Sequence, residues 1–347
     1  MTVGRAGEAP GLLQQVTNEG SDEAREARVV ALSRRDGKVF ADLSIGADVA
    51  STVPLISNSS LSYRGVSLIG NFDLTENEAN EIKKSTSQDI KKVVRPFING
   101  NDITKKPSNR YVIDLYGLNE NEVKSSFPYI YQWIMERVKP GRDAKSHTKD
   151  GAAYAKTWWQ FGKTRPELRK AISSLQIFIV TTMTAKHRTF TQVEHPVLPD
   201  QGLIVIAHSK KQFLGILSSR IHIFWTLSQG GTLESRPRYN NSRCFETFPF
   251  PELTDEQAAE IGQLAEQIDA HRKRQQAEHP TLTLTGMYNV MEKLRAGEEL
   301  NANEQTINQQ GLVSTLLADH DALDHAVFNA YGWNDLAKSL VGLPGAT

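Results

Sequence analysis

The chain contains 347 residues, enough for about two domains, and its 39% apolar, 23% charged and 8% aromatic content is typical of an ordinary folded protein. Its single cysteine, Cys244, excludes a disulfide framework and a cysteine-rich zinc finger. No apolar run approaches the roughly 20 residues of a membrane-spanning helix, and the first residues lack the layout of a signal peptide. We therefore expect a cytoplasmic protein that contacts no membrane.

The net charge is zero, but the charges are segregated along the chain. Residues 81–190 carry 21 lysines and arginines against 10 aspartates and glutamates, whereas residues 251–347 carry 6 against 15. Affinity for phosphates rises with the number of cations that displace counterions, so the basic centre predicts contact with nucleic acid. A solvated basic surface without a partner is the alternative.

The first 57 residues contain one strand signal. ARVVAL and VFADLSI flank a polar segment with the Asp36-Gly37 pair that favours tight turns, which predicts a hairpin over residues 27–45. Pro54 and the cluster SNSS then predict a connector, and we place a boundary at residue 57.

Residues 58–252 predict a mixed α/β unit. The capping-box spacing of Thr75 and Glu78 opens a helix over ENEANEIKK, and a helix over PYIYQWIMERV is stopped by Pro140. Strands are predicted at VVRPFINGNDI, RYVIDLYG, LQIFIVTTMT and GLIVIAHS, and one helix over QFLGILSSRIHIFWTLSQGG. The motif FPFP predicts an extended crossing to the next domain.

Residues 253–347 predict a small all-α domain. Thr254 and Gln257 again have capping-box spacing, a second helix ends before Gly297, and a third apolar-periodic stretch covers residues 304–331. The predicted fold class is therefore α+β, with a mixed α/β domain followed by a helical C-terminal domain.

Several catalytic motifs are absent from the sequence. A DNA amino-methyltransferase needs a glycine-rich cofactor loop and an Asn/Asp-Pro-Pro-aromatic tetrapeptide for the flipped base. None of the 14 prolines adjoins another, and no such loop or P-loop is present. We therefore assign no catalytic, cofactor-binding or metal-binding residue to this chain.

A metal-dependent nuclease is an alternative. Asp114 followed by Glu122 and Lys124 has the composition of a D…(D/E)xK site, in which carboxylates hold Mg²⁺. LNENEVKSS, however, is typical of the start of a solvated helix. His320, Asp321, Asp324 and His325 also share a helix, and we interpret them as solvated surface in preference to a metal site.

The segment GGTLESRPRYNN has residue types suited to base edges. In an extended strand Glu234, Arg236 and Arg238 would project to one side, with Pro237 preventing a helix. Arginine binds guanine O6 and N7, and glutamate accepts from cytosine N4. A surface strip of salt bridges is the alternative.

Phosphate contacts are predicted where basic residues are interleaved with aromatic ones, although Trp158 and Trp159 themselves are better explained as core. The candidates are Arg95, Lys139, Arg142, Lys145, Lys149, Lys163 and Arg165.

A series of motifs in fixed order resembles a known family. YRGVSLIGNFDLT, RPFINGNDI, WWQFGKTRPELR, GGTLESRPRY, CFETFPFP and LTGMYNVMEKLRAGE are similar to the C-terminal half of MmeI-type DNA methyltransferases, which are related to type IIG restriction-modification enzymes. The resemblance implies a methyltransferase remnant over residues 1–57, a target recognition domain over 58–252 and a helical domain over 253–347. It favours Glu234, Arg236 and Arg238 as base contacts.

These observations lead to one preferred function and two alternatives. We expect a recognition module for double-stranded DNA, truncated from an adenine-N6 methyltransferase whose full-length form uses S-adenosyl-L-methionine, with a separate methyltransferase chain as a possible partner. The alternatives are the nuclease at Asp114, Glu122 and Lys124, and an inert assembly fragment.

Overall fold

The computed structural model describes residues 11–22, 27–39, 45, 49–85, 90–233 and 236–345. The chain divides into two compact units, residues 1–53 and 54–347. Among the described residues, no helix is both long enough and apolar enough to cross a bilayer.

The first unit contains a long antiparallel hairpin. β1 (Gly11–Asp22) pairs with β2 (Ala27–Gly37), and the register shifts by one residue between Val16 and Asn18. The predicted turn at Asp36-Gly37 is wrong, because Gly37 lies opposite Gly11 and the strand continues through the pair. An ion pair of 3.0 Å between Arg34 and Asp36 lies along this strand. Of the predicted second arm, VFADLSI, the described residues Val39 and Ile45 form an antiparallel bridge, and residues 40–44 lie outside the described part of the chain.

The second unit begins with short strands and helices that are mixed along the chain. They are β3 (Ser62–Arg64), β4 (Asp73–Leu74), α1 (Glu76–Ser85), α2 (Ile90–Val93), β5 (Val94–Ile98), α3 (Gly100–Thr104), β6 (Arg110–Ile113), α4 (Glu120–Ser126), α5 (Pro128–Arg137), α6 (Lys139–Asp143), α7 (Lys149–Lys156) and α8 (Pro166–Ile172). The predicted helix α1 starts where Thr75 and Glu78 form the expected reciprocal hydrogen bonds, at 2.9 and 3.2 Å between each backbone N and the other side chain.

The chain then continues through the central strands and two helices. These elements are β7 (Ile177–Thr182), β8 (Phe190–Glu194), β9 (Leu198–Pro199), β10 (Leu203–Ile206), α9 (Lys211–Ser218), α10 (Arg220–Gln229), β11 (Thr232–Leu233) and β12 (Arg236–Pro237). The single helix predicted over α9 and α10 is wrong. Ser219 is extended between them, and the Arg220 backbone N donates to the Asp324 carboxylate at 2.7 Å, which favours a new helix start.

Two four-stranded sheets organise this unit. The central sheet has the order β3-β10-β7-β8 and is antiparallel throughout, and the other has the order β4-β6-β5-β9 with β9 parallel to β5. Leu168 and Ile172 of α8 pack on one face of the central sheet, and Leu214 and Leu217 of α9 pack on the other. Burial of both faces explains why β7 and β10 are continuous apolar runs.

The last part of the chain is helical, as predicted. It contains α11 (Asp255–Glu278), α12 (Leu284–Ala296), α13 (Ala302–Gly311), α14 (Val313–Ala330) and α15 (Asn334–Leu340). Thr254 caps α11, and Gly297 ends α12 with φ 68°. The third predicted stretch is two helices, because Leu312 takes a left-handed conformation with φ 44°. The observed architecture confirms the α+β fold class.

Candidate DNA interface

The predicted base-contact segment forms a short antiparallel ribbon. β11 and β12 pair so that Leu233 lies opposite Arg236, and the Arg238 backbone N donates to the Gly231 carbonyl at 2.8 Å. We call residues 231–233 and 236–239 the arginine ribbon. Residues 232–233 and 236–237 therefore run antiparallel, and the predicted extended strand is present at Arg236–Pro237. Glu234 lies outside the described residues.

The arginine ribbon is joined to the segment that follows β7 in the central sheet. Thr184 and Arg238 form an antiparallel bridge, and the Tyr239 backbone N donates to the Met183 carbonyl at 2.8 Å. The Ala185 backbone N donates to the Pro237 carbonyl at 3.4 Å. The ribbon is thereby fixed to the central sheet, which is covered on both faces.

Side chains along the second half of the ribbon alternate as the sequence predicts. Arg236 and Arg238 are exposed, Pro237 is half-buried and Tyr239 is fully buried. This is the period of two expected for a strand with one face on a core. Both arginine side chains therefore point away from the protein interior, as base contacts would require.

The exposed phosphate candidates are lysines. Lys145 and Lys149 lie in and after the connection between α6 and α7, and Lys163 is exposed where its backbone pairs with Ser67. Lys139 is half-buried, and its ammonium lies 2.7 Å from the Asp143 carboxylate on the next turn. Exposed lysines can contact a phosphate chain without losing an internal partner.

Arg142 is a correction to the predicted phosphate contacts. It is 4% exposed, and its guanidinium donates to the carbonyls of Leu68, Tyr154 and Gln160 at 3.2, 3.3 and 2.9 Å. Burial lowers the pKa of its guanidinium. Arg142 therefore joins three separate backbone segments, and this structural role replaces the predicted contact with DNA.

Arg95 and Arg165 also have internal partners. Arg95 donates to the Pro196 carbonyl at 2.8 and 3.0 Å and to the Asp114 carboxylate at 3.1 Å. Arg165 is half-buried and donates to the Gly65 carbonyl at 3.2 Å. Burial lowers the pKa of both guanidinium groups. Their contact with phosphate stays a prediction, and the exposed lysines are better placed.

The residues of the nuclease alternative have other partners. The Asp114 carboxylate is bound by both terminal nitrogens of Arg169, at 2.7 and 2.8 Å, in addition to Arg95. Glu122 caps α4 by accepting from the Asn119 backbone N at 2.7 Å. No group of three or more acidic, histidine or cysteine side chains suited to a metal occurs in the described parts of the chain. The geometry therefore gives the nuclease alternative no support.

Trp158, His320 and Asp324 were singled out from the sequence and are buried, whereas His325 is exposed. Trp158 is 4% exposed, and its indole nitrogen donates to the Glu120 carboxylate at 3.2 Å, which confirms a core role. The expectation of a solvated surface is wrong for His320 and Asp324, which are 7% and 3% exposed. His320 Nε2 and the Tyr288 hydroxyl share a hydrogen bond of 2.7 Å, and burial lowers the pKa of His320 well below the usual range.

The segment that supports the ribbon, residues 183–188, was not predicted from the sequence. Lys186 is exposed directly after the bridge to Arg238, and Arg188 is buried beside it. A basic segment between two apolar strands was the available signal, but its pairing with residues more than 50 positions away was not visible in the local pattern.

Comparison with known proteins decides the family. A family model described as the MmeI target recognition domain matches residues 50–252. The chain belongs to this family. The matched range contains the central sheet, the arginine ribbon and the exposed lysines.

Individual relatives are longer than this chain. DNA methyltransferase A of Bacillus subtilis (strain 168) is 27% identical over 196 residues, which are 56% of this chain and 20% of that protein. A structure of the type IIL restriction-modification enzyme MmeI in complex with DNA aligns with a TM-score of 0.62 and 20% identity, over 91% of this chain and 39% of MmeI. This chain therefore spans about a fifth of the length of DNA methyltransferase A and about two fifths of that of MmeI. The structural similarity to MmeI shows a shared fold.

Proposed function

We propose that this chain recognises a specific sequence in double-stranded DNA as part of a restriction-modification methyltransferase. The observation that carries the proposal is the family match over residues 50–252, which encloses a ribbon with Arg236 and Arg238 on its exposed side. Access to duplex DNA also supports a cytoplasmic location.

The two kinds of exposed cation suit two kinds of contact. Arg236 and Arg238 are set two residues apart on one side of a strand, so their guanidinium groups can face neighbouring base pairs in a major groove. Lys145, Lys149 and Lys163 suit the phosphate chain, which fixes register and carries no sequence information. Glu234 stays a proposed third base contact.

The helical region, residues 253–347, braces the recognition domain that we assign to residues 58–252. The Asp269 carboxylate of α11 accepts from the Thr191 hydroxyl at 2.6 Å, and Arg272 donates to the Phe190 carbonyl at 2.7 Å. Both contacts hold α11 on strand β8. We propose that the acidic helices support the DNA-binding part without touching DNA.

Methyl transfer requires residues that this sequence lacks. The glycine-rich cofactor loop and the Pro-Pro tetrapeptide do not occur in the 347 residues. We propose that a methyltransferase region, in a longer polypeptide or a separate chain, binds S-adenosyl-L-methionine and modifies adenine N6 in the recognised site. Residues 1–57 would then be the remnant of that region.

Retention of DNA at increasing salt tests the binding step. The full chain should retain mixed duplexes on a filter at low salt, and log affinity should fall linearly with log salt by about 0.9 per phosphate contact. Retention of no duplex at any salt concentration would remove the proposal.

A matched pair of variants tests base recognition. Arg236→Ala should lower discrimination by about 1–3 kcal/mol, the range for one lost bidentate base contact, and leave binding to random duplex nearly unchanged. Arg274→Ala, which removes an exposed arginine on α11, is the control. Equal effects of the two changes would count against a base contact at Arg236.

The assembly alternative is favoured by one observation in the first unit. Leu12, Val16, Val30 and Leu32 are 44–49% exposed on a two-stranded hairpin, and such a hairpin is marginally stable without packing partners. We propose that a methyltransferase region covers these side chains. Co-expression with a methyltransferase chain should raise the soluble yield, and replacement of Val16 and Leu32 by threonine should remove that gain.

A further inference from the structure

The segment between β7 and β8 contains a fully internal cation under the arginine ribbon. Arg188 is 4% exposed, and the guanidinium lies 5.2 Å from the centre of the Tyr239 ring. Among the described residues no carboxylate forms an ion pair with it, and burial lowers the pKa of the guanidinium to about 10. An internal charge without a counter-ion is costly unless hydrogen bonds satisfy it.

The acceptors of Arg188 join two elements. One terminal nitrogen donates to the Thr182 carbonyl at the end of β7 and to the Thr181 hydroxyl at 3.2 Å. The other donates to the Pro237 carbonyl at 3.1 Å. A planar guanidinium can make these bonds at once, whereas a lysine ammonium has a single nitrogen and no fork. The side chain therefore fastens the ribbon to the central sheet.

The point of attachment is the peptide between the two exposed arginines. Pro237 separates Arg236 from Arg238, and its carbonyl also accepts from the Ala185 backbone N. Pro237 has no backbone N–H, so this carbonyl is its only main-chain hydrogen-bonding group. This carbonyl belongs to the peptide that joins Pro237 to Arg238, so a shift of the peptide would move the Cα of Arg238 directly and the Cα of Arg236 through Pro237.

We infer that Arg188 is a positioning residue for base recognition, acting on Arg236 and Arg238 through the Pro237 carbonyl. This inference rests on the proposed function. A base contact requires donors placed within a few tenths of an ångström, so a ribbon that is loosely held loses discrimination before it loses its attraction for phosphates. Lys145, Lys149 and Lys163 lie on other segments, so their phosphate contacts do not depend on this peptide.

The test uses the full chain and a DNA sequence enriched by it from a random duplex library. Arg188→Lys should lower the ratio of enriched-site affinity to scrambled-site affinity by about tenfold or more, since one bidentate base contact is worth about that factor. Affinity for the scrambled duplex and its salt slope should stay within about twofold. In hydrogen exchange, the Arg188→Lys substitution should speed the exchange of the Arg238 and Tyr239 amides more than that of the β7 amides.

Arg142→Lys is the matched control. Arg142 is also 4% exposed and also donates to acceptors on separate segments, but these are the carbonyls of Leu68, Tyr154 and Gln160, none of which lies in the arginine ribbon. It should lose thermal stability to a similar degree and keep the affinity ratio. If both variants lose stability and both keep the ratio, Arg188 only supports the fold and the inference is overturned.

A milder variant covers the case in which Arg188→Lys does not fold. Thr181→Val removes one acceptor of the guanidinium with little change in volume, and should lower the affinity ratio by about two- to fivefold. An unchanged ratio would then overturn the inference. Failure of the proposed function has a separate signature: the wild-type chain would enrich no sequence and no ratio could be defined.

Discussion

Removal of the Asp114 carboxylate should strongly destabilise residues 54–347. Asp114 accepts two hydrogen bonds from Arg169, at 2.7 and 2.8 Å, and one from Arg95 at 3.1 Å. The three side chains are only 5%, 10% and 15% exposed. Asp114→Ala would leave two arginines near each other, poorly solvated and without their shared counter-ion. Loss of one partner from such a group costs about 3–5 kcal/mol.

Urea denaturation followed by tryptophan fluorescence measures this cost, because all 5 tryptophans lie between residues 133 and 333. Asp143→Ala is the control. It breaks the ion pair between Lys139 and Asp143, whose side chains are 37% and 53% exposed, and should cost less than about 1 kcal/mol. A loss below about 1 kcal/mol for Asp114→Ala would refute the assignment of a buried structural group. A stable Asp114→Ala variant that also loses Mg²⁺-dependent cleavage would instead revive the nuclease alternative.

Three further outcomes follow from single positions. Gly65→Ala should prevent folding or displace β9, since a Cβ would lie 2.1 Å from the Asp200 carbonyl oxygen, whereas Gly141→Ala, with no atom within 4 Å, should be tolerated in a thermal melt. His222 is buried beside Arg188, and burial lowers its pKa to about 3. Histidine in the unfolded chain has a pKa of about 6.5, so the folded protein keeps its full stability only above that pH. The free energy of unfolding should fall by roughly 2–3 kcal/mol as the pH is lowered to about 4.5. His222→Gln should flatten this acid sensitivity in urea titrations, and exposed His147→Gln should leave it unchanged; identical pH profiles for the two would contradict the reasoning. Lys145→Gln should lower the slope of log affinity against log salt by about 0.9, and an unchanged slope would exclude a phosphate contact there.

Helix starts were predictable because their signals are local. Thr75 with Glu78 and Thr254 with Gln257 each form reciprocal bonds within four residues, so the sequence alone contains both partners. The breaks at Ser219 and Leu312 were not predictable. The new helix at Arg220 depends on Asp324, which is 104 positions away, and no local pattern reports that contact.

The candidate site was predictable in part for the same reason. Alternation placed Arg236 and Arg238 on one exposed side, because Pro237 excludes a helix and a strand has a period of two. Arg142 was assigned to DNA because basic residues are interleaved with aromatic ones around it, but its acceptors come from residues up to 74 positions away. The support of the ribbon by Arg188 likewise required long-range pairing that only the fold reveals.

Enrichment of random duplex DNA by the full chain, followed by the same selection with Arg236→Ala, tests the central claim most directly. The account predicts that the wild-type chain enriches one sequence and that the variant enriches the same sequence with a single position, or two adjacent positions, no longer specified. Enrichment of no sequence by the wild-type chain, or an unchanged sequence with Arg236→Ala, would contradict it.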